Sequence, residues 1–380
     1  MTSRHLSTEA TRPNGAGRVH SSQRELTRIR DDWRDQGAWD AFVESNVEGR
    51  FAHLYNYGMA TECYGFRSRR ICFVKGSEIV AVVPMALTRS LLFGRKLISQ
   101  PFSEYGGLLV APELDRDDIR GIVESLRAYI AETFENVALE INGNHGIPSS
   151  LNEELFAGRH PHSLAYLELD SNVDEIWKRK ISYEARKAVN KARNSGLAVK
   201  EECNEATLRG PFFSLYRESM KRLGVPPHSL RYYLDCYRAF GDKMKIFWAM
   251  KDSIKVAGLL GFACGRRISI INIVSDPAYW NLRPNDLIHW EFIRFAAENG
   301  YAFFDFGSVR YDGQEHFKRK WGCTFIPHSH YYLMSKQQDA LRTLDSSSSM
   351  MSQFSKMWTR WMPAALANKI GPVIRKQLGR

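Results

Sequence analysis

The sequence has no long apolar run and no patterned cysteines. No stretch reaches the roughly 18 apolar residues of a membrane-spanning helix, and the first residues lack the apolar core of a secretory signal. The six cysteines are scattered, without a Cys-x-x-Cys pair or histidines at metal-ligand spacing, and most lie in apolar runs such as 71–74. We therefore expect reduced, buried thiols in a cytoplasmic protein, and no metal site.

Acidic residues are scarce relative to basic ones. The chain has 53 Lys and Arg against 42 Asp and Glu, a net charge of +11. An excess of this size indicates a polyanionic partner, such as tRNA, an anionic membrane surface or a phosphate-bearing substrate, although basic charge can also serve solubility alone.

The length and the order of predicted elements indicate two domains. A chain of 380 residues exceeds the ~250–300 at which one core usually divides. Residues 1–22 are rich in Ser, Thr, Arg and Gly and predict a disordered tail. Residues 23–165 and 166–335 each show antiparallel strands followed by a helix and a further strand, and 336–380 form a linker and a basic tail. The expected fold is α/β (α+β), with two lobes of mixed, mostly antiparallel sheet flanked by helices.

The most informative stretch lies in the second lobe. Residues 301–307 read Tyr-Ala-Phe-Phe-Asp-Phe-Gly, which predicts a buried strand interrupted by one carboxylate, Asp305. Gly307 is expected to turn the chain out of the sheet, and residues 313–322 to form a short helix that projects Lys318 back over the strand end. Buried charges are costly unless something uses them, so the pair is either a structural ion pair at a sheet edge or part of a catalytic site.

These residues resemble a known family. Glu-Asn-Gly300, an aromatic strand ending in Asp-x-Gly, then Gly-x-x-x-Phe-Lys and Trp-Gly are similar to the Fem family of peptidyl-bridge aminoacyl transferases and to their CelD-like relatives. The stretch 99–107, Ser-Gln-Pro-Phe-Ser-Glu-Tyr-Gly-Gly, also resembles the first-lobe signature of Fem-like proteins found with bacterial exopolysaccharide and exosortase systems. The resemblance covers roughly 33–333. It implies two fused lobes of the GNAT acyltransferase fold, with Phe317 and Lys318 in the second lobe's catalytic cleft.

Acyl transfer to an amine requires an anchored carrier, loss of a proton by the amine and stabilisation of charge on the carbonyl oxygen. Lys318 is the candidate for that stabilisation, with phosphate binding as its alternative role. Asp305 either orients Lys318, accepts the proton or is purely structural. Tyr311 lies in the same loop, and Glu104 with Tyr105 are candidate acceptor contacts, unless the Gly-Gly loop is only a tight turn.

A strongly basic helix or helix pair is predicted over 173–194. From residue 178 to residue 193 it carries seven basic side chains and one acid, which indicates either a solvated face or a face for an anion. A similar Arg-Lys-Ala-x-x-Lys helix precedes the second lobe's core in Fem-like proteins, and here it corresponds to Arg186, Lys187 and Lys191.

The sequence does not identify the acyl donor. Typical GNAT enzymes hold the coenzyme A pyrophosphate on a glycine-containing loop before the long helix, but residues 279–285 read Tyr-Trp-Asn-Leu-Arg-Pro-Asn. This departure fits the Fem-like branch, whose donors are carried on tRNA, yet the long helical arm of some Fem enzymes is not visible. We expect no tightly bound cofactor, and a co-substrate that is aminoacyl-tRNA, acyl carrier protein or a coenzyme A thioester.

The last segment, 349–380, carries six basic residues and no acid, with Trp358 and Trp361 on an apolar helical stripe. A second short helix is expected to end at Gly371-Pro372. Such segments bind anionic membrane surfaces, or else pack on the protein body.

The leading hypothesis is an acyl or aminoacyl transferase that acts on an amine of a lipid-linked cell-envelope precursor, either a peptidoglycan or an exopolysaccharide intermediate. Its expected place is peripheral, on the cytoplasmic face of the inner membrane. The alternatives are an N-acyltransferase that uses acyl carrier protein or coenzyme A on an amino sugar, and a non-catalytic basic adaptor of an export assembly.

Overall fold

The computed structural model describes residues 27–90, 94–134, 137–144, 146–333 and 364–378. The predicted disordered tail at 1–22 and the Trp-containing part of the C-terminal segment lie outside the described residues. The strands are β1 (Arg28–Arg30), β2 (Arg67–Lys75), β3 (Glu78–Ser90), β4 (Gly94–Ile98), β5 (Leu109–Val110), β6 (Leu139–Asn142), β7 (Ala157–Glu168), β8 (Leu197–Glu201), β9 (Met244–Lys251), β10 (Ile254–Cys264), β11 (Arg267–Ser275), β12 (Phe303–Val309) and β13 (Thr324–Leu333).

Helices flank these strands. They are α1 (Gln36–Ser45), α2 (Tyr57–Glu62), α3 (Arg116–Thr133), α4 (Ser149–Leu155), α5 (Val173–Glu175), α6 (Tyr183–Asn194), α7 (Glu205–Thr207), α8 (Phe213–Leu223), α9 (Leu230–Phe240), α10 (Pro284–Glu298), α11 (Asp312–Arg319) and α12 (Ala364–Leu378). Ile176–Lys180 and Leu208–Phe212 are π-helical, and Phe51–His53, Gly241–Lys243 and Pro277–Leu282 are 3₁₀ turns.

All the described strands belong to one continuous sheet. Its order is β1-β2-β3-β4-β6-β13-β7-β12-β11-β10-β9-β8, and β5 pairs with β3. Only the β4–β6 and β11–β12 pairs are parallel among the described strands, so the predicted mixed, mostly antiparallel α/β fold is confirmed. We call β1–β6 the first half and β7–β13 the second half. The predicted domain boundary at 165 falls inside β7, and the division into two lobes stays a prediction.

The core of the second half depends on α10. Pro284 occupies the first turn, where its missing N–H costs nothing, and the apolar spacing then places Leu287, Ile288 and Phe292 against the sheet. Phe292 is fully buried and stacks on Phe247 with ring centroids 4.3 Å apart. Truncating such a side chain to alanine costs about 3–5 kcal/mol, so the packing of this helix contributes strongly to the stability of the second half.

The strand β12 differs from its prediction at one residue. Gly307 does not end the strand, which continues to Val309. It lies instead at a register break between Asp305 and Ser308 in the pairing with β7, with φ +71°, a left-handed conformation that favours glycine. The glycine therefore bends the strand without terminating it.

The last helix also differs from its prediction. Gly371-Pro372 does not break α12, which runs through both residues and packs against α8 and β3. A Cβ atom on Gly371 would lie 2.4 Å from Cδ of Pro227, so the glycine permits this close packing, and the tertiary contact outweighs the cost of the proline. Of the two roles considered for the segment, packing on the body applies to these residues. No described helix is long and apolar enough to cross a membrane.

Candidate active site

Lys318 points from α11 onto the bulge in β12. Its side chain is buried, and Nζ donates hydrogen bonds to the backbone oxygens of Gly307 at 2.9 Å and Ser308 at 2.7 Å. An ammonium has three N–H donors, and the third has no partner among the described residues. The helix thus holds a cation over the strand, as the sequence predicted, with one donor available for a ligand.

The surroundings of Lys318 make its proton easier to lose. Burial removes the water that would solvate the ammonium and lowers the pKa of Lys318 to about 8, although the charges of Asp305 and Glu104 act in the opposite direction. At neutral pH the side chain is still mostly the cation, so it can stabilise negative charge.

Asp305 is buried and serves the bulge directly. It accepts hydrogen bonds from the Gly307 backbone N–H at 2.8 Å and from the Ser269 hydroxyl at 3.2 Å. It forms no ion pair with Lys318 among the described contacts, so its effect on the lysine acts through space. Asp305 and Lys318 therefore do not contact each other directly. Each binds the backbone of the same bulge at Gly307.

Tyr105, from the first half of the chain, lies beside Asp305. Burial, and then the Asp305 carboxylate, hold the pKa of Tyr105 well above its usual range. Tyr105 therefore stays a neutral hydrogen-bonding group beside a buried carboxylate. The two candidate residues, far apart in sequence, meet in the fold.

Sequence reasoning missed Arg267 at this place. Arg267 is buried on β11, with its guanidinium 4.3 Å from the centroid of the Phe303 ring. Burial and the charge of Arg50 lower its pKa to about 10, whereas Asp305 raises it. No local signal distinguishes this arginine from an ordinary residue at a strand start. Only the parallel pairing of β11 with β12, which sets Arg267 opposite Phe303, reveals it.

The loop over 99–107 is a tight turn that also positions Glu104 against the second half. A Cβ atom on Gly107 would lie 1.6 Å from the Gly143 backbone oxygen, so glycine is required there. The Asn142 side chain donates to the backbone oxygens of Gln100 and Ser103, both at 2.8 Å. These contacts fix the loop so that Glu104 reaches the second half, where it pairs with Arg310.

Three histidines surround Glu104, and sequence reasoning missed them. Glu104 lies 3.1 Å from His162 and 3.4 Å from His330, while its backbone oxygen is 3.0 Å from Nε2 of His328. Burial alone would raise the pKa of Glu104, but hydrogen bonds from His162 and His330 and the charge of Arg310 lower it overall. The alternation of His328 and His330 along β13 was the available signal, but His162 joins them only through strand pairing.

The basic helix is less free than its charge suggests. Arg186 on α6 donates to the backbone oxygens of Trp177, Lys178 and Ile181, which end the preceding π-helical turn. The remaining basic side chains of 178–193 with partners among the described residues are Lys178, Arg179, Lys180 and Arg193. Lys187 and Lys191 are exposed and have no such partner among the described contacts. Of the three predicted anion contacts, Arg186 binds the backbone, and the anion-binding role of Lys187 and Lys191 stays a prediction.

The other two predicted contacts lie on α11 and at its start. Phe317 is half-buried and packs on His289, with ring centroids 5.1 Å apart, so much of the ring belongs to the core of the second half. Tyr311 is 60% exposed at the N-cap position of α11. The structure thus gathers Lys318, Asp305, Tyr105 and Glu104, and leaves Phe317 and Tyr311 at the margin of that group.

One known protein family matches the part of the chain that contains this site. Residues 179–319 match the acetyltransferase (GNAT) domain family, a segment that contains α6, Asp305 and Lys318. No curated protein matches the sequence.

Solved structures share the fold over most of the chain. FemX is similar with a TM-score of 0.64 and 14% identity, covering 80% of this chain and 97% of FemX. L-PGS from Bacillus licheniformis gives 0.53 and 14%, covering 81% and 95%, and a conserved protein of unknown function from Bacteroides thetaiotaomicron gives 0.55 and 13%, covering 81% and 100%. The chain therefore contains a GNAT acetyltransferase domain, is an acyltransferase, and shares the fold of FemX and L-PGS.

Proposed function

We propose that this acyltransferase moves an acyl or aminoacyl group from a carrier to an amine of a cell-envelope precursor, a peptidoglycan or exopolysaccharide intermediate. The observation that carries the proposal is the buried Lys318 ammonium, held by two backbone oxygens with its third N–H available. A group of this kind stabilises an oxyanion best where water is excluded, because the interaction is then weakly screened.

The reaction needs one proton to move. The acceptor amine attacks the carbonyl carbon, a C–N bond forms, and the bond to the carrier oxygen or sulfur breaks while the amine proton passes to the leaving group. Lys318 donates its third N–H to the carbonyl oxygen as that oxygen becomes negative. Asp305 favours the charged form of Lys318 and fixes the bulge that holds it, and we assign it the role of passing the amine proton on to the leaving group.

The start of α10 favours a carrier other than free coenzyme A. Helix N-termini attract phosphate through their free N–H groups and partial positive charge. Here the first turn already contains the buried carboxylate of Asp286, which pairs with Lys320 and Arg283. These ion pairs already occupy the first turn of the helix, and on that ground we assign donor recognition to a larger carrier, tRNA or acyl carrier protein.

The exposed pair Lys187 and Lys191 supports the same assignment. Both candidate carriers are polyanions, and unpaired lysines attract phosphates or carboxylates at low energetic cost because no existing ion pair must break. We further propose peripheral attachment to the cytoplasmic face of the inner membrane, where a lipid-linked acceptor would be found. The net charge of +11 supports this location.

A donor-dependence assay tests the proposal. Purified protein is mixed with membrane lipid extract and, in parallel, with labelled aminoacyl-tRNA, acyl carrier protein thioester or coenzyme A thioester. We expect transfer from one carrier-bound donor, and a fall of about 100- to 1000-fold in kcat for Lys318→Ala. Lys200→Ala, at a lysine side chain that is 63% exposed, is the matched control and should keep full activity.

Each other outcome has a meaning. Transfer from coenzyme A alone would redirect the assignment to an N-acyltransferase on an amino sugar. Undiminished transfer by a folded Lys318→Ala variant would remove Lys318 from the mechanism. No transfer from any donor, with liposome binding intact, would favour the adaptor.

A further inference from the structure

The histidine cluster around Glu104 lies where the two halves of the sheet join. His162 on β7 is directly opposite His328 on β13, and His330 follows two residues later along the same strand. Glu104 approaches them from the loop of the first half. One potential ligand atom from each of the four residues lies within 4.8 Å of all the others.

We propose that Glu104, His162, His328 and His330 bind one divalent transition metal ion, with Zn²⁺ as the best match. Three imidazoles and a carboxylate are a ligand set that Zn²⁺ accepts in four-coordinate tetrahedral geometry. This proposal does not depend on the proposed acyl-transfer reaction, because it concerns binding alone.

The distances already approach those of a tetrahedral site. With bonds of about 2.0–2.1 Å, the ligand atoms around a tetrahedral ion stand about 3.3 Å apart. Oε2 of Glu104 lies 3.1 Å from Nε2 of His162 and 3.4 Å from Nε2 of His330. One ring nitrogen of His328 lies within 4.8 Å of the other three ligand atoms, so this ring would have to move closer to them to bind the same ion.

Groups behind the ligands are arranged to orient them. The buried carboxylate of Glu140 lies 3.8 Å from Nδ1 of His330, on the ring side opposite Glu104. Arg310 pairs with Oε1 of Glu104, which leaves Oε2 toward the histidines. A carboxylate behind a ligating histidine fixes the ring and strengthens its donor nitrogen, and this is the usual second layer of a metal site in proteins.

The cluster is shielded yet reachable. The side chains of His162 and His330 are each 12% exposed, and that of Glu104 is 23% exposed. An ion can therefore enter from solvent and still be largely shielded from it. Bound there, it would tie the loop of residues 99–107 to β7 and β13, and so fix Tyr105, the neighbour of Glu104, beside Asp305.

Titration of the metal-free full-length protein with ZnCl₂ in a non-chelating buffer, followed by calorimetry, tests the site. We expect one ion per chain, and affinity lower by at least tenfold in His162→Gln and in His330→Gln. Glu140→Gln should weaken binding by about 10- to 100-fold through the loss of its support. His316→Gln is the control, because this histidine is 77% exposed on α11 and outside the cluster, and its affinity should equal that of the wild type.

A second measurement covers variants that do not fold. Co²⁺ added to the wild-type protein should give the visible absorption bands of a tetrahedral ion, and one equivalent of Zn²⁺ should remove them. Absence of these bands, binding of less than one ion per chain, or unchanged affinity in folded His162→Gln and His330→Gln variants would each overturn the proposal. The cluster would then be a network of hydrogen bonds and ion pairs only.

Discussion

At the scale of single residues, Lys318 combines a positive charge with a setting that water barely reaches. Its pKa of about 8 lies close to neutral pH, so small changes in pH change the fraction of chains that carry the charge. The pH dependence of the rate therefore distinguishes a lysine that stabilises the oxyanion from a lysine that acts as a general base.

We predict that the activity of the wild type, divided by that of Lys318→Arg at the same pH, falls by about tenfold per pH unit above about pH 8. Below this pKa the ammonium is present and stabilises the oxyanion, and above it the neutral amine does not. Arginine stays charged throughout, so the ratio cancels the titration of the acceptor amine. The measurement is kcat at saturating donor from about pH 6.5 to about pH 9.5. A ratio that instead rises with pH up to about pH 8 and then levels off would identify Lys318 as a general base.

Only some of this chemistry was predictable from single residues. Lys318 and Asp305 stand out in the sequence because charges next to a buried aromatic strand are costly without a purpose. Arg267 and His162 are ordinary in their local sequence, and become significant only when strand pairing sets them beside Phe303 and His328. Pairing between distant strands is a property of the whole fold, which local patterns do not contain.

At the scale of elements, the basic side chains of α6 have different roles. Arg186 ends the preceding helical turn, and Arg193 pairs with Glu291 of α10 at 2.8 Å. Lys187 and Lys191 lie one turn apart on the exposed side, without partners among the described residues. A run that looked uniform in the sequence therefore contains structural cations and two lysines that face solvent.

We predict that Lys187→Gln/Lys191→Gln raises the KM for a tRNA or acyl carrier protein donor by about tenfold and leaves kcat within about twofold. Loss of two cations weakens attraction to a polyanion but leaves the reacting groups in place. Steady-state kinetics at low and high salt would measure it, because added salt should narrow the difference from the wild type. The control is Lys178→Gln, at a lysine already paired with Asp174 at 2.9 Å. An equal loss in the control would mean that overall charge alone matters.

At the scale of the whole molecule, the continuous sheet makes the two halves depend on each other. The strand β13 pairs with β6 of the first half on one side and with β7 on the other. The order of elements in each half was predictable from hydrophobic spacing and turns. The pairing that connects the two halves was not predictable, because nothing in the sequence of β13 indicates that it lies between strands from both halves.

We predict that residues 27–156 do not fold alone, because β6 would expose its backbone groups where β13 should pair. The full-length chain, which keeps β13, is the comparison and should unfold in a single transition. Circular dichroism during urea unfolding would show a cooperative transition for the longer chain and none for the fragment. A cooperative transition in the fragment would establish the first half as an independent domain.

The position of β13 also bears on how the protein is made. Roughly 180 residues separate β6 from β13 in the chain. At about 5–20 residues per second, the ribosome needs roughly 10–35 seconds to deliver the missing partner. During that time the edges of β6 and β7 face solvent and are open to pairing with other chains. Substitutions that weaken β13 should therefore lower the yield of folded protein during synthesis before they alter the enzyme that has already formed.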